Sequence, residues 1–458
     1  MNGRLAEVAA ATGGRLAGAD ATFDGVSIDS RTLKPGELFF ALRGEHFDGH
    51  AFIGAAAERG AAAAVVEKAG DFAIPQIVVP DGTAALAALA QAWRSRSEAT
   101  VIGVGGSNGK TTTKELLASI LAGCGPTLAT RGNLNNHLGV PLTLLRLTPQ
   151  HRYAVIEMGA NHPGEIAALA AIAKPAIALV TNAGDEHLEG FGDLVGVAHA
   201  EGEMFAALEP SGVAVINADD PFCDLWQTMS RARRSIRFGI DAPAEVRATG
   251  VQGRVESGTF VTAFTLGVDG DQARVRLALA GRHNVANALG AAAAAHAAGA
   301  PLPAIVAGLG RTGPVSGRLQ LKAGPGGSWL IDDSYNANPS SMRAGIDVLC
   351  SLPGEHWLVL GEMAELGTHT EASHAGIGDY ARRAGVTRLF AVGAAARHAV
   401  AAFGARGNWF DDAVRLADAV AGGLDSGVTV LIKGSRVNRL ERVVERLLQP
   451  LAAAGNGN

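Results

Sequence analysis

Residues 103–114 read GVGGSNGKTTTK, and this glycine-rich stretch decides the fold of the chain around it. The apolar residues before it predict a β-strand over 101–104, and the sequence ELLASIL after it predicts a helix. A glycine-rich turn between a strand and a helix offers backbone N–H groups and the positive end of the helix dipole to an anion. We therefore expect a phosphate-binding loop, with Lys110 on the outer phosphates and the Thr111 hydroxyl on Mg²⁺.

The spacing of this loop differs from the strict pattern G-x-x-x-x-G-K-[ST]. That pattern needs glycine at position 104, where the chain has Val104. An ordinary glycine-rich turn is the alternative interpretation, but Gly109, Lys110 and Thr111 between a strand and a helix favour nucleotide binding. By itself the loop is consistent with kinases, GTPases and ligases alike.

The composition indicates a soluble protein of several domains. At 458 residues the chain is too long for one ordinary core, and 48% hydrophobic with 18% charged residues is typical of globular domains. A net charge of −5 gives no general attraction to nucleic acid or anionic membranes, and no uninterrupted apolar segment is long enough to span a bilayer. Because the three cysteines form no metal-ligand pattern, we expect reduced thiols in a cytoplasmic protein.

Apolar strands alternate with helical patterns along most of the chain, which predicts an α/β fold with mainly parallel sheets. We expect three domains: a small mixed α/β N-terminal substrate domain over 1–97, a central mononucleotide-binding domain over 98–314, and a Rossmann-like α/β domain over 315–458. Alternating residues over 247–279 predict antiparallel strands added to the central sheet. The glycine and proline content of 308–317 predicts a linker before the third domain.

Polar residues that follow predicted strands are candidates for chemistry, because ligands of open α/β sheets bind at the carboxyl ends of the strands. The strand over 153–156 leads to Glu157, and the strand over 177–180 leads to a segment that ends in His187. A carboxylate and an imidazole beside a phosphate loop can hold Mg²⁺ during phosphoryl transfer. Each of them alone is also consistent with a solvated strand end. The asparagine-rich stretch 130–141 suits substrate positioning and equally suits a turn.

In the third domain, a predicted strand over 329–331 runs into the sequence DDSYNANP. Asp333 is well placed for a ribose hydroxyl or a metal-bound water. Asn338 stands directly before a proline and predicts a helix N-cap, so part of this motif is structural. Arg318 and Lys433 adjoin apolar runs and are the cations best placed to face an anionic ligand, with an ordinary surface location as the equal alternative.

Together these motifs resemble those of the Mur ligases of peptidoglycan synthesis, and the resemblance covers nearly the whole chain. The segment DSYNANPSSM favours the member that adds a dipeptide over the member that adds the third residue, which typically carries a DNPR motif absent here. Folylpolyglutamate synthetases share the central architecture but not the N-terminal unit. The matching motifs, in the family's order, are DSRTLKPGELFFALRGEHFDGHAFI, GSNGKTTTK, GNLNNHLGVP, EMGANHPGEI, TNAGDEHLEGFG, NADDP, GRHNVANALGAA, DDSYNANPSSM, GEMAELG and LIKGSR.

The resemblance implies an ATP-dependent amide ligase that uses Mg²⁺. ATP would phosphorylate the terminal carboxylate of UDP-N-acetylmuramoyl-tripeptide, and the amine of D-alanyl-D-alanine would attack the acyl phosphate and release phosphate. The last residue of the tripeptide, diaminopimelate or lysine, stays open. So do two alternatives, a ligase of this family that accepts a different amine and a nucleotide-binding switch that does not ligate. We expect small-molecule substrates, no nucleic acid, no membrane insertion and a monomer.

The resemblance also implies roles for individual residues, carried over from the matching motifs. Lys110, Glu157 and His187 would be catalytic, and Thr111 would join Glu157 and His187 at the metal. The residues implied at ATP are Gly106, Ser107, Asn108, Gly109, Lys110, Thr111, Thr112, Asn284, Asn287, Arg318 and Asp333. The residues implied at the other substrates are Ser30 and Arg31 at the UDP-sugar and Asn133 and Asn136 near the reacting carboxylate. The sequence does not reveal which residues contact the dipeptide, and we expect Tyr335, Asn336 and Asn338 there.

One segment departs from the family pattern. Many Mur ligases carry a lysine in a segment similar to AKGEIF, and this lysine becomes carbamylated and helps to hold a second Mg²⁺. Here residues 200–205 read AEGEMF, and Glu201 takes the place of the lysine, so carbamylation cannot occur there. We expect the Glu201 carboxylate to bind the metal instead, directly or through a bridging water. A solvated helix glutamate is the alternative.

Overall fold

Four β-sheets divide the described part of the chain into three structural units. The computed structural model describes residues 1–44 and 47–449, and its strands form sheets of two, five, nine and six strands. The two smaller sheets lie in the N-terminal part, the nine-stranded sheet in the middle, and the six-stranded sheet in the C-terminal part. No helix among these residues is long and apolar enough to cross a membrane.

The N-terminal unit is a small mixed α/β structure. Its elements are β1 (Asn2–Arg4), α1 (Leu5–Thr12), β2 (Arg15–Ala17), β3 (Thr22–Asp24), β4 (Val26–Ser27), β5 (Leu38–Phe40), α2 (Ile53–Glu58), β6 (Ala63–Val66), β7 (Gln76–Val78) and α3 (Gly82–Arg94). The larger sheet has the order β2-β7-β6-β5-β4, with β2 antiparallel to β7 and the other pairs parallel. Its middle strands β5 and β6 are apolar and fully buried, as expected of strands covered on both faces.

The central unit contains the phosphate loop. Its first elements are β8 (Thr100–Gly105), α4 (Lys110–Ala122), β9 (Thr127–Ala129), α5 (Gly139–Leu144), β10 (Tyr153–Glu157), α6 (Glu165–Ala173), β11 (Ile177–Val180), α7 (Leu188–Phe191) and α8 (Leu194–Ala206). They continue with β12 (Val213–Asn217), α9 (Cys223–Met229), β13 (Arg234–Gly239), β14 (Val246–Glu256), β15 (Thr259–Val268), β16 (Asp271–Leu277), α10 (Arg282–Ala297) and α11 (Leu302–Arg311). The strand order is β16-β15-β14-β13-β12-β11-β8-β10-β9.

The nine-stranded sheet is parallel where it carries the loop and antiparallel at one edge. The strands from β9 to β13 pair in parallel, and β8, β10, β11 and β12 are almost entirely buried apolar runs. β14, β15 and β16 pair antiparallel, and β15 alternates buried and partly exposed residues. The antiparallel addition predicted over 247–279 and the α/β class are therefore confirmed.

The C-terminal unit is a Rossmann-like α/β structure. Its elements are β17 (Gln320–Ala323), β18 (Trp329–Asp333), α12 (Pro339–Cys350), β19 (Glu355–Leu360), α13 (Thr370–Ala384), β20 (Arg388–Val392), α14 (Ala396–Phe403), β21 (Gly407–Phe410), α15 (Ala413–Ala421), β22 (Val428–Lys433) and α16 (Glu441–Leu448). The order is β17-β18-β22-β19-β20-β21, and only β17 is antiparallel among these described strands. The register pairs Asp333 with Lys433, so both lie at the same strand-end edge.

The phosphate loop leaves the middle of the central sheet. β8 lies between β10 and β11, and the register pairs Glu157 with Val104 and Val180 with Gly105. The segments that follow β10 and β11 therefore flank the loop on either side. This is the strand-end edge at which open α/β sheets bind ligands.

The predicted linker 308–317 begins as helix, because α11 continues to Arg311. Gly308 is buried against α4, where an added Cβ would lie 2.4 Å from the Cα of Ile120. The Ser119 hydroxyl also donates to the Gly308 carbonyl at 2.8 Å. Gly308 thus allows two helices to approach closely, and the chain leaves the helical conformation only after Arg311.

This packing predicts different outcomes for two glycines of α11. We expect Gly308→Ala to destabilise the fold by about 1–3 kcal/mol, because the new methyl group collides with helix backbone. Gly310→Ala is the matched control: its Cβ would lie 3.8 Å from the nearest atom, so we expect no loss or a gain of about 0.5–1 kcal/mol. Denaturant unfolding measures both, and equal effects would contradict the close helix contact.

Candidate functional site

The glycine-rich loop is fixed by close packing on two sides. Gly106 and Gly109 both have positive φ, +113° and +82°. A Cβ at Gly106 would lie 2.1 Å from Thr181 Oγ1, and a Cβ at Gly109 would lie 2.1 Å from Asn287 Oδ1. Only glycine combines this backbone conformation with so close an approach. The loop is thereby held between the end of β11 and helix α10.

Hydrogen bonds from the segment after β11 fix the first half of the loop. The Ser107 N–H donates to the Asn182 carbonyl at 2.9 Å, and the Asn108 N–H donates to Asn182 Oδ1 at 3.1 Å. Ser107 Oγ accepts from the Gly184 N–H at 2.8 Å. These amides are already used inside the protein, so those left for a phosphate are at the start of α4, where N–H groups have no intrahelical acceptor.

Lys110 is the first residue of α4, and its side chain lies over the loop. Its Nζ donates to the Gly106 carbonyl at 2.5 Å and to the Ser107 carbonyl at 3.2 Å, and it is 3.3 Å from Glu186 Oε2. Burial alone would lower the pKa of Lys110, but nearby carboxylates, led by Glu186, raise it above its ordinary value. The Lys110 side chain therefore stays positively charged at the loop. Glu186 is a member of the site that the sequence did not single out.

Glu157 is buried at the end of β10, and its two oxygens differ in their surroundings. Oε1 accepts from Thr111 Oγ1 at 3.3 Å and from Asn135 Nδ2 at 2.9 Å. Oε2 is buried without a hydrogen-bond partner. An unpartnered buried carboxylate oxygen is costly unless a cation approaches it. The structure thus brings together Thr111 and Glu157, as the sequence predicts for a metal site.

The residues present suit Mg²⁺ if the nucleotide supplies part of the metal's coordination shell. Among residues 1–44 and 47–449, no group of three or more His, Cys, Asp or Glu side chains is arranged to hold a metal ion. Mg²⁺ is commonly bound by one or two carboxylates together with phosphate oxygens and water. The Thr111 hydroxyl beside the buried Glu157 carboxylate fits that requirement.

His187 joins the central unit to the C-terminal unit. It precedes α7 with a φ of +51°, its Nε2 is 3.4 Å from Glu186 Oε1, and its Nδ1 contacts Glu365 Oε2. Burial alone would lower the pKa of His187, but the hydrogen bond to Glu186 and the charge of Glu365 raise it. The imidazole is therefore held by two carboxylates beside the loop. Its predicted role at the metal stays a prediction.

Glu201 of α8 lies behind the loop, not exposed on its helix. Its Oε2 accepts the Gly106 N–H at 2.6 Å, and 6% of the residue is exposed. Burial raises the pKa of Glu201 to about 7. Glu201 therefore supports the loop backbone directly, and its predicted metal-binding role stays a prediction.

Two cavities meet at the loop. The larger, of about 820 Å³, extends from the loop to the start of α3 and to α6, and the smaller, of about 310 Å³, lies beside α10 and β18. The predicted site residues that line the larger are Ser107, Asn108, Gly109, Lys110, Thr111, Asn133, Asn136, Glu157, His187, Arg318, Tyr335, Asn336 and Asn338. Those that line the smaller are Asn108, Gly109, Thr112, Asn284, Asn287, Arg318 and Asp333.

The smaller cavity has a polar wall on α10. Asn284 Nδ2 donates to the Ala280 carbonyl at 2.8 Å, and Asn287 Nδ2 donates to Asn284 Oδ1 at 3.0 Å. His283 also lines this cavity, and burial lowers its pKa to about 4, so it is neutral near pH 7. This wall presents neutral hydrogen-bonding groups, which suits an uncharged ring such as adenine.

The C-terminal unit contributes charged residues to both cavities. Lys433 Nζ is 2.7 Å from Asp333 Oδ2 and donates to the Asn336 carbonyl at 2.8 Å. Burial lowers the pKa of Lys433, although the charge of Asp333 opposes this shift. The Arg318 guanidinium stacks over the Tyr335 ring, with its carbon 4.4 Å from the ring centre. Two cations therefore face the loop from this unit.

Asn108 connects the loop directly to the C-terminal unit. Asn338 caps α12 through the Ser341 N–H, and its Nδ2 donates to Asn108 Oδ1 at 2.8 Å. Asn108 Nδ2 in turn donates to Ser340 Oγ at 2.9 Å. The predicted N-cap is confirmed, and in this structure the Asn338 side chain serves both the helix and the loop contact.

The asparagine-rich stretch contributes one residue that the sequence did not single out. Asn133 and Asn136 line the larger cavity, and Asn136 Oδ1 accepts the Gly139 N–H at 2.9 Å, which is a turn contact. Asn135, between them, holds Glu157. The composition pointed to the stretch but could not tell which amide reaches the carboxylate.

Ser30 and Arg31 lie outside both cavities, in the N-terminal unit. The Arg31 side chain is 85% exposed and is bound to Asp29. The hydrogen bond from Arg31 lowers the pKa of Asp29 to about 2. Their predicted contact with the UDP-sugar stays a prediction.

Comparison with models of known protein families shows to which family the chain belongs. Residues 22–94 match the model of the Mur ligase family catalytic domain, residues 104–295 match the Mur ligase middle domain, and residues 317–436 match the Mur ligase glutamate ligase domain. The chain belongs to the Mur ligase family. These matches follow the three units of the fold.

Individual relatives agree in length and structure. The chain is 45% identical over 439 residues, 95% of this chain and 96% of its relative, to UDP-N-acetylmuramoyl-tripeptide--D-alanyl-D-alanine ligase of Escherichia coli K12. A crystal structure of MurF from Acinetobacter baumannii aligns with a TM-score of 0.91 at 35% identity, covering 97% of this chain and 98% of that one. A Thermotoga maritima MurF ligase in complex with ADP aligns with a TM-score of 0.83 at 28% identity, covering 92% and 96%.

The buried Glu201 gives the Mur ligase chain a testable pH dependence. Its raised pKa means that the folded state binds a proton more tightly than the unfolded state, so this contribution to stability is present below pH ~4.5 and is lost as pH rises through ~7. We expect the free energy of unfolding of the wild type, relative to Glu201→Gln, to fall by up to about 3 kcal/mol between pH 5 and pH 8. Metal-free unfolding curves measure this difference, and parallel pH profiles would refute it.

Proposed function

We propose that this chain is an ATP-dependent ligase that joins D-alanyl-D-alanine to UDP-N-acetylmuramoyl-tripeptide and forms the pentapeptide precursor of peptidoglycan. The proposal is supported by the name of the E. coli relative and by the match of all three units. The observation that carries it is the meeting of two cavities at one phosphate loop. The smaller cavity has a wall of neutral amides that suits a nucleoside, and the larger extends from the loop to residues of the N-terminal and C-terminal units.

The two cavities suggest how ATP lies. Asn284 and Asn287 would face the adenine in the smaller cavity, with Asp333 near the ribose. The phosphates would lie on the amides at the start of α4, with Lys110 and Arg318 near the outer ones. The γ-phosphate would then point into the larger cavity. The ADP complex of the T. maritima relative supports nucleotide binding by this family.

Thr111 and Glu157 would hold Mg²⁺, with His187 and Glu201 as further proposed ligands. When bound, Mg²⁺ would offset the negative charge of the phosphates. The chain itself holds the Glu157 carboxylate in place, because the Thr111 hydroxyl and the Asn135 amide both donate to its Oε1. Lys110 supplies a cation beside the same phosphates.

The larger cavity would hold the two peptide substrates. A carboxylate oxygen of the tripeptide attacks the γ-phosphorus, ADP leaves, and an acyl phosphate forms. The amine of the dipeptide then adds to the acyl carbon, loses a proton, and the tetrahedral intermediate expels inorganic phosphate. Asn133 and Asn136 would lie near the reacting carboxylate, and Tyr335, Asn336 and Asn338 near the dipeptide. Catalysis would come mainly from positioning and charge neutralisation.

The UDP-sugar would bind on the N-terminal unit, with Ser30 and Arg31 as its proposed contacts. The larger cavity reaches Asp81 and Thr83 at the start of α3, so a peptide attached to that sugar has a path towards Glu157. We further propose a monomer acting in the cytoplasm, with domains 1–97, 98–314 and 315–458 arranged around this path.

Phosphate release with defined substrates tests the proposal. With ATP, Mg²⁺ and UDP-N-acetylmuramoyl-tripeptide ending in diaminopimelate or in lysine, we expect phosphate release that depends on D-alanyl-D-alanine and not on single amino acids. Lys110→Met should lower turnover by about 10²–10³-fold, because one preorganised donor is lost. Lys68→Met, an exposed lysine of the N-terminal unit, is the control. Phosphate release that does not depend on the dipeptide would refute the proposed reaction.

A second experiment tests the proposed metal role of Glu201. Glutamine keeps the size of the side chain but loses the charge, so we expect Glu201→Gln to need more Mg²⁺ for half-maximal turnover. The measurement is initial rate against Mg²⁺ concentration at saturating substrates. If turnover and Mg²⁺ dependence both stay unchanged, Glu201 serves only as support for the loop.

A further inference from the structure

Lys114 is a buried cation that does not face either cavity. It lies one turn after Thr111 on α4, and its side chain is 0% exposed. A lysine near a phosphate loop would ordinarily be assigned to phosphate binding. Here the ammonium group is turned into the protein, where a charge persists only with partners around it.

The partners of Lys114 come from the ends of two neighbouring strands. Its Nζ donates to the Thr130 carbonyl just after β9 at 2.8 Å, and it lies 3.9 Å from Glu157 Oε2 at the end of β10. Glu115 Oε1 is 2.8 Å away, but this side chain is 44% exposed, so solvent screens its charge. Glu157 is therefore the buried carboxylate that Lys114 faces.

The same contacts fix the backbone around Glu157. The Glu157 N–H donates to Thr130 Oγ1 at 3.0 Å, while the Thr130 carbonyl accepts from Lys114. Lys114, Thr130 and Glu157 thus tie α4 to the ends of β9 and β10. The Asn135 amide, in the loop that follows Thr130, donates to the other carboxylate oxygen of Glu157, Oε1.

We propose that Lys114 is a positioning residue for the Mg²⁺ site: its buried ammonium balances the charge of Glu157 and holds the carboxylate in the orientation in which Oε1 faces Thr111. This inference rests on the proposed metal role of Thr111 and Glu157. The cation acts from behind the carboxylate, on Oε2, which has no hydrogen-bond partner. Groups that orient a metal ligand in this way affect metal affinity about 10–100-fold.

Binding of a non-hydrolysable ATP analogue, with Mg²⁺ and with EDTA, separates positioning from general structural damage. We expect Lys114→Met to weaken binding about tenfold or more with Mg²⁺ and to leave binding in EDTA nearly unchanged. Lys114→Arg, which keeps the charge, should recover part of the loss. Lys68→Met should change neither value. An equal loss with and without Mg²⁺, or no loss, would overturn the inference.

Thermal unfolding of metal-free protein gives an independent measurement. Lys114→Met leaves Glu157 as an unbalanced buried charge, so we expect Glu157→Gln to recover part of its loss in Tm, and additive losses would overturn the inference. If Lys114→Met does not fold, Lys114→Gln, which loses the charge but keeps a hydrogen-bond donor, takes its place in the binding assay, where unchanged Mg²⁺-dependent affinity would overturn it. Neither assay requires the ligation reaction. A failure of this inference can therefore be distinguished from a failure of the proposed reaction.

Discussion

The rest of the site depends on the rigid packing of one loop. Gly106 lies against Thr181 and Gly109 lies against Asn287, so the segment after β11 and helix α10 together fix the path of the backbone. Glu201 and Asn182 take up the first amides of the loop, which leaves the start of α4 for an anion. Because these contacts come from the protein's own residues, they hold the amides at the start of α4 in position for an anion.

Charge balance around this loop explains why so many carboxylates can be buried together. Lys110 stands beside Glu186, Lys114 stands behind Glu157, and the Gly106 amide donates to Glu201. Each cation or donor meets a different carboxylate, so a metal bound at Glu157 would join a site that is already partly neutralised. The C-terminal unit contacts the same loop through two hydrogen bonds of Asn108, with Ser340 and Asn338.

The sequence was sufficient for features set by neighbouring residues. The loop, the strand ends at Glu157 and Asp333, the N-cap of α12 and the antiparallel edge all follow from local patterns, and the structure has them. It was not sufficient for contacts between distant residues, such as Asn108 with Asn338, which lie 230 residues apart. Composition also predicted a linker that begins at Gly308, a position where helix packing requires glycine. The domain boundaries and the UDP-sugar contacts stay predictions.

In the proposed reaction, the loop directs the γ-phosphate of ATP onto a peptide carboxylate. Labelling that carboxylate of the tripeptide with ¹⁸O tests it most directly, because one labelled oxygen must leave with phosphate when the amine displaces it. We expect one ¹⁸O in each inorganic phosphate formed during dipeptide-dependent ligation, with ADP as the other product. Phosphate without label, or AMP and pyrophosphate as products, would contradict it.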